Sequence, residues 1–324
     1  LDELDYVDEL LKSVNSSNFK TVPNGTEFFD DLEKFIYHID YPYQSTSCYA
    51  SWKVYNLAKQ NNVTVVFDGQ GADEILGGYY TYMYPSLFID NILNYNFYEL
   101  YKNTVGMKSL YGFEYSNQFS SLIKKLITNS NSISLAYKKQ FKNLILTKEF
   151  VKQGQSKSHV FNYLLHSKFI KRSFKNHQIH YMNTLLPSLL RVVDRNSMAH
   201  SVESRVPFLD YRLVEFCLSL PTNMKIRNGL TKWIYRSAMK GILPDKINNR
   251  INKLGFATAQ DSWLNNNRES IIEIFHSNQN FLLPIVGKDG LEKLYNPDEN
   301  NISNHLIWKF LSTTVMARNF KLSL

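Results

Sequence analysis

The sequence predicts an α/β protein in which a partial parallel sheet is followed by a large helical region. Three observations carry this. Val63-Thr64-Val65-Val66-Phe67 is a β-branched run, largely apolar on both faces, as in a central strand of a parallel sheet covered by helices. It sits among amphipathic segments in a helix–strand–helix–strand order, the pattern that builds α/β layers. Beyond Gly78 the texture changes: Tyr79 to Tyr181 is rich in Tyr and Phe, shows helical spacing and offers no convincing strand. With only 9 Pro and 13 Gly in 324 residues, long helices are favoured over a turn-rich β protein. The division falls at Tyr79, with an α/β portion over 1–79 and a mainly helical part over 80–324.

Element by element, Leu1 to Val14 reads as a helix with Leu4, Val7, Leu10, Leu11 and Val14 on one face, its acidic start favoured by the helix dipole. Phe19 to Val22 is a short strand in this reading, ended by Pro23-Asn24-Gly25. Thr26 to Asp40 is a helix that Asp40-Tyr41-Pro42 breaks, because proline disfavours the α region in the residue before it. Ser47 to Asn61 is a further amphipathic helix, and Val63 to Phe67 follows as the buried strand. Asn129-Ser130-Asn131-Ser132 reads as a loop. Asp210 is suited to cap a helix from Tyr211 to Leu220, Thr231 to cap one that ends before Gly241, and Ser303 to Arg318 is a last amphipathic helix.

Composition narrows the function classes. The net charge is +8, yet Lys and Arg occur as scattered pairs such as Lys124-Lys125 and Lys171-Arg172, with no dense block. A solvated basic surface explains this better than a nucleic-acid footprint. Cys48 and Cys217 form neither a disulfide framework nor a CxxC zinc motif, which suits a reducing cytoplasm. No apolar run is long enough to span a bilayer. His38, His159 and His166 are isolated, and His177 and His180 share a helical face without a carboxylate or thiol to complete a metal site. The clustered aromatics read as core, and Cys217 as a core residue of an apolar helix.

Three stretches could carry chemistry. Asp68-Gly69-Gln70-Gly71-Ala72-Asp73-Glu74 follows the end of a parallel-type strand, where open α/β sheets bind ligands. Gly69 and Gly71 let backbone N–H groups approach a ligand, a helix starting near Ala72 points its positive end outward, and Asp73 and Glu74 could hold Mg²⁺ on phosphates. The same spacing also fits a plain βα turn with both acids at the helix start. The second stretch gathers Arg191, Asp194, Arg195, Glu203, Arg205, Asp210 and Arg212 beside the apolar Val206 to Leu209. It is either a substrate-binding cluster or an ion-pair network that holds a loop. In the third, Lys232 stands in the first turn of a helix, against the dipole, and could reach a phosphate as a point charge. An ordinary surface lysine fits that position as well.

Together these stretches resemble the synthase domain of the asparagine synthetase family. Asp68 to Tyr79 is similar to its SGxGxDExxxGY signature, and Asp194 to Asp210 to DRNSMAxSxExRxPFLD. Lys232 stands in a stretch like xKxxLRxAMxGxLPxxI, and Arg250, Lys253, Gly255 and Phe256 fit RxxKxGF. Asp40-Tyr41-Pro42 resembles the family's DxP turn, and Asp2 to Tyr6 its Asp-Glu-x-x-Tyr segment. The resemblance implies an adenine-nucleotide α-hydrolase-like sheet and an ATP- and Mg²⁺-dependent conversion of aspartate and ammonia to asparagine through β-aspartyl-AMP. It places Asp68, Gly69 and Gly71 against ATP, Asp73 on Mg²⁺-pyrophosphate, and Gln70 and Lys232 at the chemistry; a homodimer is compatible with it. Three departures stand out. The SGGxDS pyrophosphate loop and the glutaminase domain are not in these residues, and Gln70 replaces a family glutamate and cannot act as a base. The expectation is therefore a chain truncated before its pyrophosphate loop that makes no asparagine alone. The alternatives are an adenylating amidotransferase or β-lactam-synthetase-like enzyme acting on another carboxylate, and a non-catalytic remnant or partner subunit.

Overall fold

The computed structural model describes residues 3–14, 16–128, 145–157, 173–252, 255 and 257–323. The expected loop at 129–132, His159, His166, Lys253 and Phe256 lie outside the described residues.

The chain opens with three helices, α1 (Leu4–Ser13), α2 (Gly25–Ile39) and α3 (Ser47–Gln60). The side chain of Asn24 accepts from the Glu27 N–H to cap α2, and Asp40 closes it in the left-handed region at φ 50°. The strand β1 (Val65–Phe67) follows, then the short helix α4 (Ala72–Leu76). Next come α5 (Tyr80–Leu93), α6 (Phe97–Thr128, broken at Gly112), α7 (Lys148–Lys157) and the 26-residue α8 (Phe174–Ala199). The strand β2 (Glu203–Arg205) and a 3₁₀ turn (Pro207–Leu209) lead into α9 (Tyr211–Ser219) and α10 (Thr222–Lys225). A hairpin of β3 (Ile226–Arg227) and β4 (Leu230–Thr231) precedes α11 (Trp233–Ala238) and α12 (Asp245–Asn248). Four helices close the chain: α13 (Gln260–Asn266), α14 (Arg268–Ser277), α15 (Gln279–Tyr295) and α16 (Asn304–Phe320). The protein is thus mostly helical, with a small parallel sheet.

That sheet joins two stretches singled out in the sequence. β1 and β2 run parallel, with Val65 opposite Glu203 and Phe67 opposite Arg205. Parallel neighbours need a long crossover; here it is the whole of α4 to α8. The sheet is less covered than the sequence led one to expect. β1 is three residues long and has one neighbour among the described residues, and Phe67 is 71% exposed. The strand expected at Phe19–Val22 does not form: these residues lie outside any element, and Val22 is 85% exposed. A short β-prone run specifies a strand only when a face can be buried, and here neither is.

The largest core joins the first and last parts of the chain. Phe28, Phe35, Tyr49 and Trp52 of α2 and α3 pack with Trp263, Phe275, Leu282 and Trp308 of α13 to α16. The fully buried Trp308 donates its indole N–H to the Tyr43 carbonyl at 2.9 Å, which satisfies the polar atom that its burial strands. α8 is the spine. Val192 packs on this core and Val193 joins Tyr55 and Val202. Met182 packs with Ile75 and Cys217, and Phe174 joins Met83, Leu87 and Ile226. α1 differs from these helices: its apolar stripe forms as the periodicity predicts but none of its residues is buried.

Candidate active site

β1 delivers the glycine loop. The Asp68 N–H donates to the Arg205 carbonyl at 2.7 Å, which extends the β1–β2 ladder by one bond. The Asp68 carboxylate turns back to accept from the Gln70 N–H at 3.0 Å. The Tyr55 hydroxyl lies 3.0 Å from Ser204 Oγ and 3.5 Å from Asp68 Oδ2, so α3 and both strand ends meet at Asp68. Gly69 is exposed, with nothing near the position of a β-carbon. Gly71 differs from it. Its φ is 94°, and a β-carbon there would collide with the Leu209 side chain. The loop's second glycine therefore leaves room for the packing of the Pro207–Leu209 turn.

α4 begins at Ala72, as expected, but lasts only to Leu76, where Gly77 turns left-handed at φ 72°. Its two acids part company. Glu74 is 1% exposed and accepts from the Tyr79 hydroxyl at 2.9 Å. Burial, with Glu74 beside it, holds the Tyr79 phenol well above its ordinary pKa. Glu74 is thus enclosed and does not face a ligand, contrary to the Mg²⁺ role open to it in the sequence. Asp73 faces outward and pairs with Lys232 at 2.7 Å. Gly78 lies directly beneath: a β-carbon there would run into the Asp73 carboxylate and the Lys232 chain.

Lys232 is not in the first helical turn but one residue before it, at the N-cap of α11, with φ 56°. Thr231, the expected cap, is in β4. A left-handed non-glycine residue costs about 1–2 kcal/mol, and here that conformation carries the ammonium to Asp73 instead of along the helix axis.

The pair borders a cavity of about 340 Å³ whose charged lining is Lys232, Arg236 and Arg250 with Asp73 and Glu3. Arg236 is a strut: it donates to the carbonyls of Thr231, Asn248 and Arg250, and burial lowers its pKa from the ordinary value. Arg250 pairs with Glu3 and lies over the Tyr6 ring at 4.1 Å, so α1 is tied to the cavity by Glu3 and Tyr6 of the Asp-Glu-x-x-Tyr segment. A second cavity, of about 370 Å³, is lined by Asp68, Gly69 and Gln70 together with Ser47, Ser51 and Tyr55 of α3 and Val192 and Val193 of α8. The single loop 68–73 thus contributes to both cavities, Asp68 to Gln70 to one and Asp73 to the other.

The polar cluster of the sequence separates into local pairs. Arg191 and Arg195 both hold Asp40, at 2.5 and 3.0 Å, and so fasten the DxP turn to α8. Asp194 is 3.9 Å from Arg195. Glu203 and Arg205 pair with each other on β2 at 2.7 Å, and the hydrogen bond from Arg205 lowers the Glu203 pKa. Asp210 caps α9 through the Arg212 N–H, and hydrogen bonds from Arg212 pull its carboxyl down to about 2. The last two pairs are exposed and far from a desolvated network. Neither cavity lining includes Arg191, Asp194, Glu203, Arg205 or Asp210. The sequence reading also missed Arg250 as a partner of α1, and the hydroxyls of Ser47, Ser51 and Tyr55. Their one signal, a run of Ser and Thr at the start of α3, was absorbed by its amphipathic pattern.

Among the described residues no three acids, histidines or cysteines gather into a metal cage, and no helix is long and apolar enough to cross a membrane. Asp73 alone fits Mg²⁺ only as an ion already carried on phosphates, the usual state of Mg²⁺ with one or two carboxylates.

Fold and site together define a class: a parallel α/β unit whose strand-end loop joins a following helical region around a cation-bearing cavity. The chain belongs to the asparagine synthase family, whose model matches residues 1–318. Over 270 residues it is 28% identical to asparagine synthetase [glutamine-hydrolyzing] 1 of Bacillus subtilis, covering 82% of this chain and 41% of that protein. Asparagine synthetase [glutamine-hydrolyzing] 3 of the same organism is 47% identical over 72 residues, 22% of this chain and 12% of that protein. The asparagine synthetase of Gallus gallus is 38% identical over 76 residues, 22% of this chain and 14% of its own length. The chain thus spans about two fifths of the first of these relatives.

Proposed function

We propose that this chain carries the synthase part of an ATP-dependent asparagine synthesis, in one synthase domain made of an adenine-nucleotide α-hydrolase-like layer over 1–79 and a mainly helical part over 80–324. The observation that supports it best is the Lys232–Asp73 pair over Gly78, at the edge of a cavity with two further guanidinium groups. Three separate family-like motifs contribute to that one place.

In this reading a β-carboxylate oxygen of aspartate attacks the α-phosphorus of ATP, and the bond from that phosphorus to the bridging oxygen breaks as pyrophosphate leaves. Ammonia then attacks the acyl carbon of β-aspartyl-AMP, and the carbon–oxygen bond to AMP breaks. Lys232 and Arg250 face the phosphate charge that develops, where fixed cations act most strongly on a transition state. Asp68 and Gly69 take the nucleoside end in the second cavity, with the Asp68 carboxylate suited to ribose hydroxyls. Asp73 would hold Mg²⁺ carried on the phosphates, and that ion would supply charge neutralisation for the departing pyrophosphate. Gln70 can orient ammonia or the intermediate through its amide, and the proton that ammonia loses passes to water. The ammonia is free or released from glutamine by another domain.

Labelled pyrophosphate exchange into ATP, measured with and without aspartate, tests this. The chain by itself is expected to show no exchange; supplied with an SGGxDS-bearing segment it should show aspartate-dependent exchange that Lys232→Ala lowers on the order of a hundredfold or more. Exchange independent of aspartate, or an unaltered Lys232→Ala variant, would sink the reading. The same assay run with a carboxylate panel separates aspartate from another acceptor, as in a related adenylating amidotransferase or a β-lactam-synthetase-like enzyme.

A further inference from the structure

Lys225 is 1% exposed, an unusual place for an ammonium group. It donates to Gln178 Oε1 at 2.7 Å, so its partner is a neutral amide oxygen and not a carboxylate. Gln178 is itself fully buried, and its amide nitrogen donates to the carbonyls of Glu74 at 2.8 Å and Ile75 at 2.9 Å. These carbonyls belong to the last turn of α4, which the helix leaves without intrahelical partners. The Gln178 amide thus stands between the Lys225 ammonium and that helix end.

The two lysines near α4 also flank one hairpin. Lys225 ends α10 immediately before β3, and Lys232 follows β4. The hairpin is held at its far end. Its Asn228-Gly229 turn has φ of 49° and 79°, as a two-residue hairpin turn requires. The Gly229 N–H donates to Asn103 Oδ1 at 3.1 Å and its carbonyl accepts from the Tyr84 hydroxyl.

We propose that Lys225 and Gln178 form a buried positioning relay, which holds the helix carrying Asp73 in register with the hairpin carrying Lys232. The relay meets α4 at the residues just after Asp73, so a shift there moves the carboxylate against Lys232. The setting of Lys225 agrees with a charged donor at neutral pH. Burial pushes the ammonium down to about 8, with Cys217 on α9 raising it and Lys175 on α8 lowering it. The Phe174 ring, 5.9 Å away, adds a further favourable contact to the charged form. The relay rests on the phosphate-site reading above.

Inorganic pyrophosphate titrated calorimetrically into the whole 324-residue chain tests it. Lys225→Met and Gln178→Leu should each weaken binding on the order of tenfold, the scale of one hydrogen bond to a charged group. The double variant should bind no more weakly than either single one, because both cut the same chain of bonds. Gln178→Glu keeps an acceptor for Lys225 but loses the donor to α4, and should show the same loss while melting no earlier than Gln178→Leu. Multiplicative losses in the double variant, or full affinity in Gln178→Glu, overturn the relay. Wild-type chain that fails to bind pyrophosphate, or Lys232→Ala that binds like wild type, overturns the phosphate-site reading and the relay with it.

Discussion

At Gly78 the site is decided by the absence of one carbon. The Lys232–Asp73 pair occupies the space in which a side chain would stand. Gly78→Ala should therefore displace the pair and weaken pyrophosphate binding on the order of tenfold, since overpacking typically costs 1–3 kcal/mol. Gly69, in the same motif, has open space around it. Gly69→Ala should leave the urea midpoint within about 0.5 kcal/mol of wild type. Gly71→Ala should destabilise by about 1–3 kcal/mol, because its φ of 94° and the Leu209 contact both exclude a side chain. Equal midpoints for the Gly69 and Gly71 variants would show that the loop is not packed as described. Three glycines that look equivalent in the motif thus have three different physical roles.

At the scale of elements, the hairpin β3–β4 depends on how closely α6 lets it approach. A β-carbon on Gly106 would overlap the Asn228 carbonyl, so the turn sits directly on the helix backbone. Gly106→Ala should cost about 1–3 kcal/mol, although alanine is the better helix former. Gly154 in α7 meets nothing within 4 Å, and there Gly154→Ala should stabilise by about 0.5–1 kcal/mol through propensity alone. Opposite signs for the same substitution, read from urea unfolding, check the contact. The periodicity of α2, α3 and α16 was legible because each buries a stripe in the main core. Phe19–Val22 was misread because the same local pattern has no partner surface.

Across the whole molecule, a buried histidine contributes to the response to mild acid. His177 touches Ser86 through Nδ1 and stacks on Tyr181, and burial, with His180 beside it, lowers its pKa from 6.5 to about 4. His200, His38 and His305 are lowered too, each mainly by burial. A base whose folded pKa is depressed takes its proton first in the unfolded chain. Its stabilisation is complete above pH 6.5 and is lost as pH falls towards 4. His177 alone contributes on the order of 3 kcal/mol over that window. Unfolding free energy measured from pH 7.5 to 4 should fall below pH 6.5, and His177→Gln should flatten the slope. An unchanged slope would mean that His177 titrates normally in the fold.

The amino-acid sequence by itself determined the family, the main amphipathic helices, the strand that leads into the glycine loop, and the motif segments that carry the candidate site residues, but not β2, the partner of that strand. Those features are written in local periodicity and in motifs whose residues lie close together in the chain. Only the tertiary structure decided what each site residue meets. It enclosed Glu74 and set Asp73, half-buried, at the edge of a cavity, though they are adjacent, because α4 turns one towards Tyr79 and the other towards Lys232. It divided the expected ion network into separate pairs, because Arg191 and Arg195 reach back to Asp40 while the later charges pair with near neighbours. It also placed Lys225 inside, against the usual habit of lysine, because Gln178, itself anchored to the end of α4, offers that ammonium an acceptor, and nothing in the sequence near Lys225 records it.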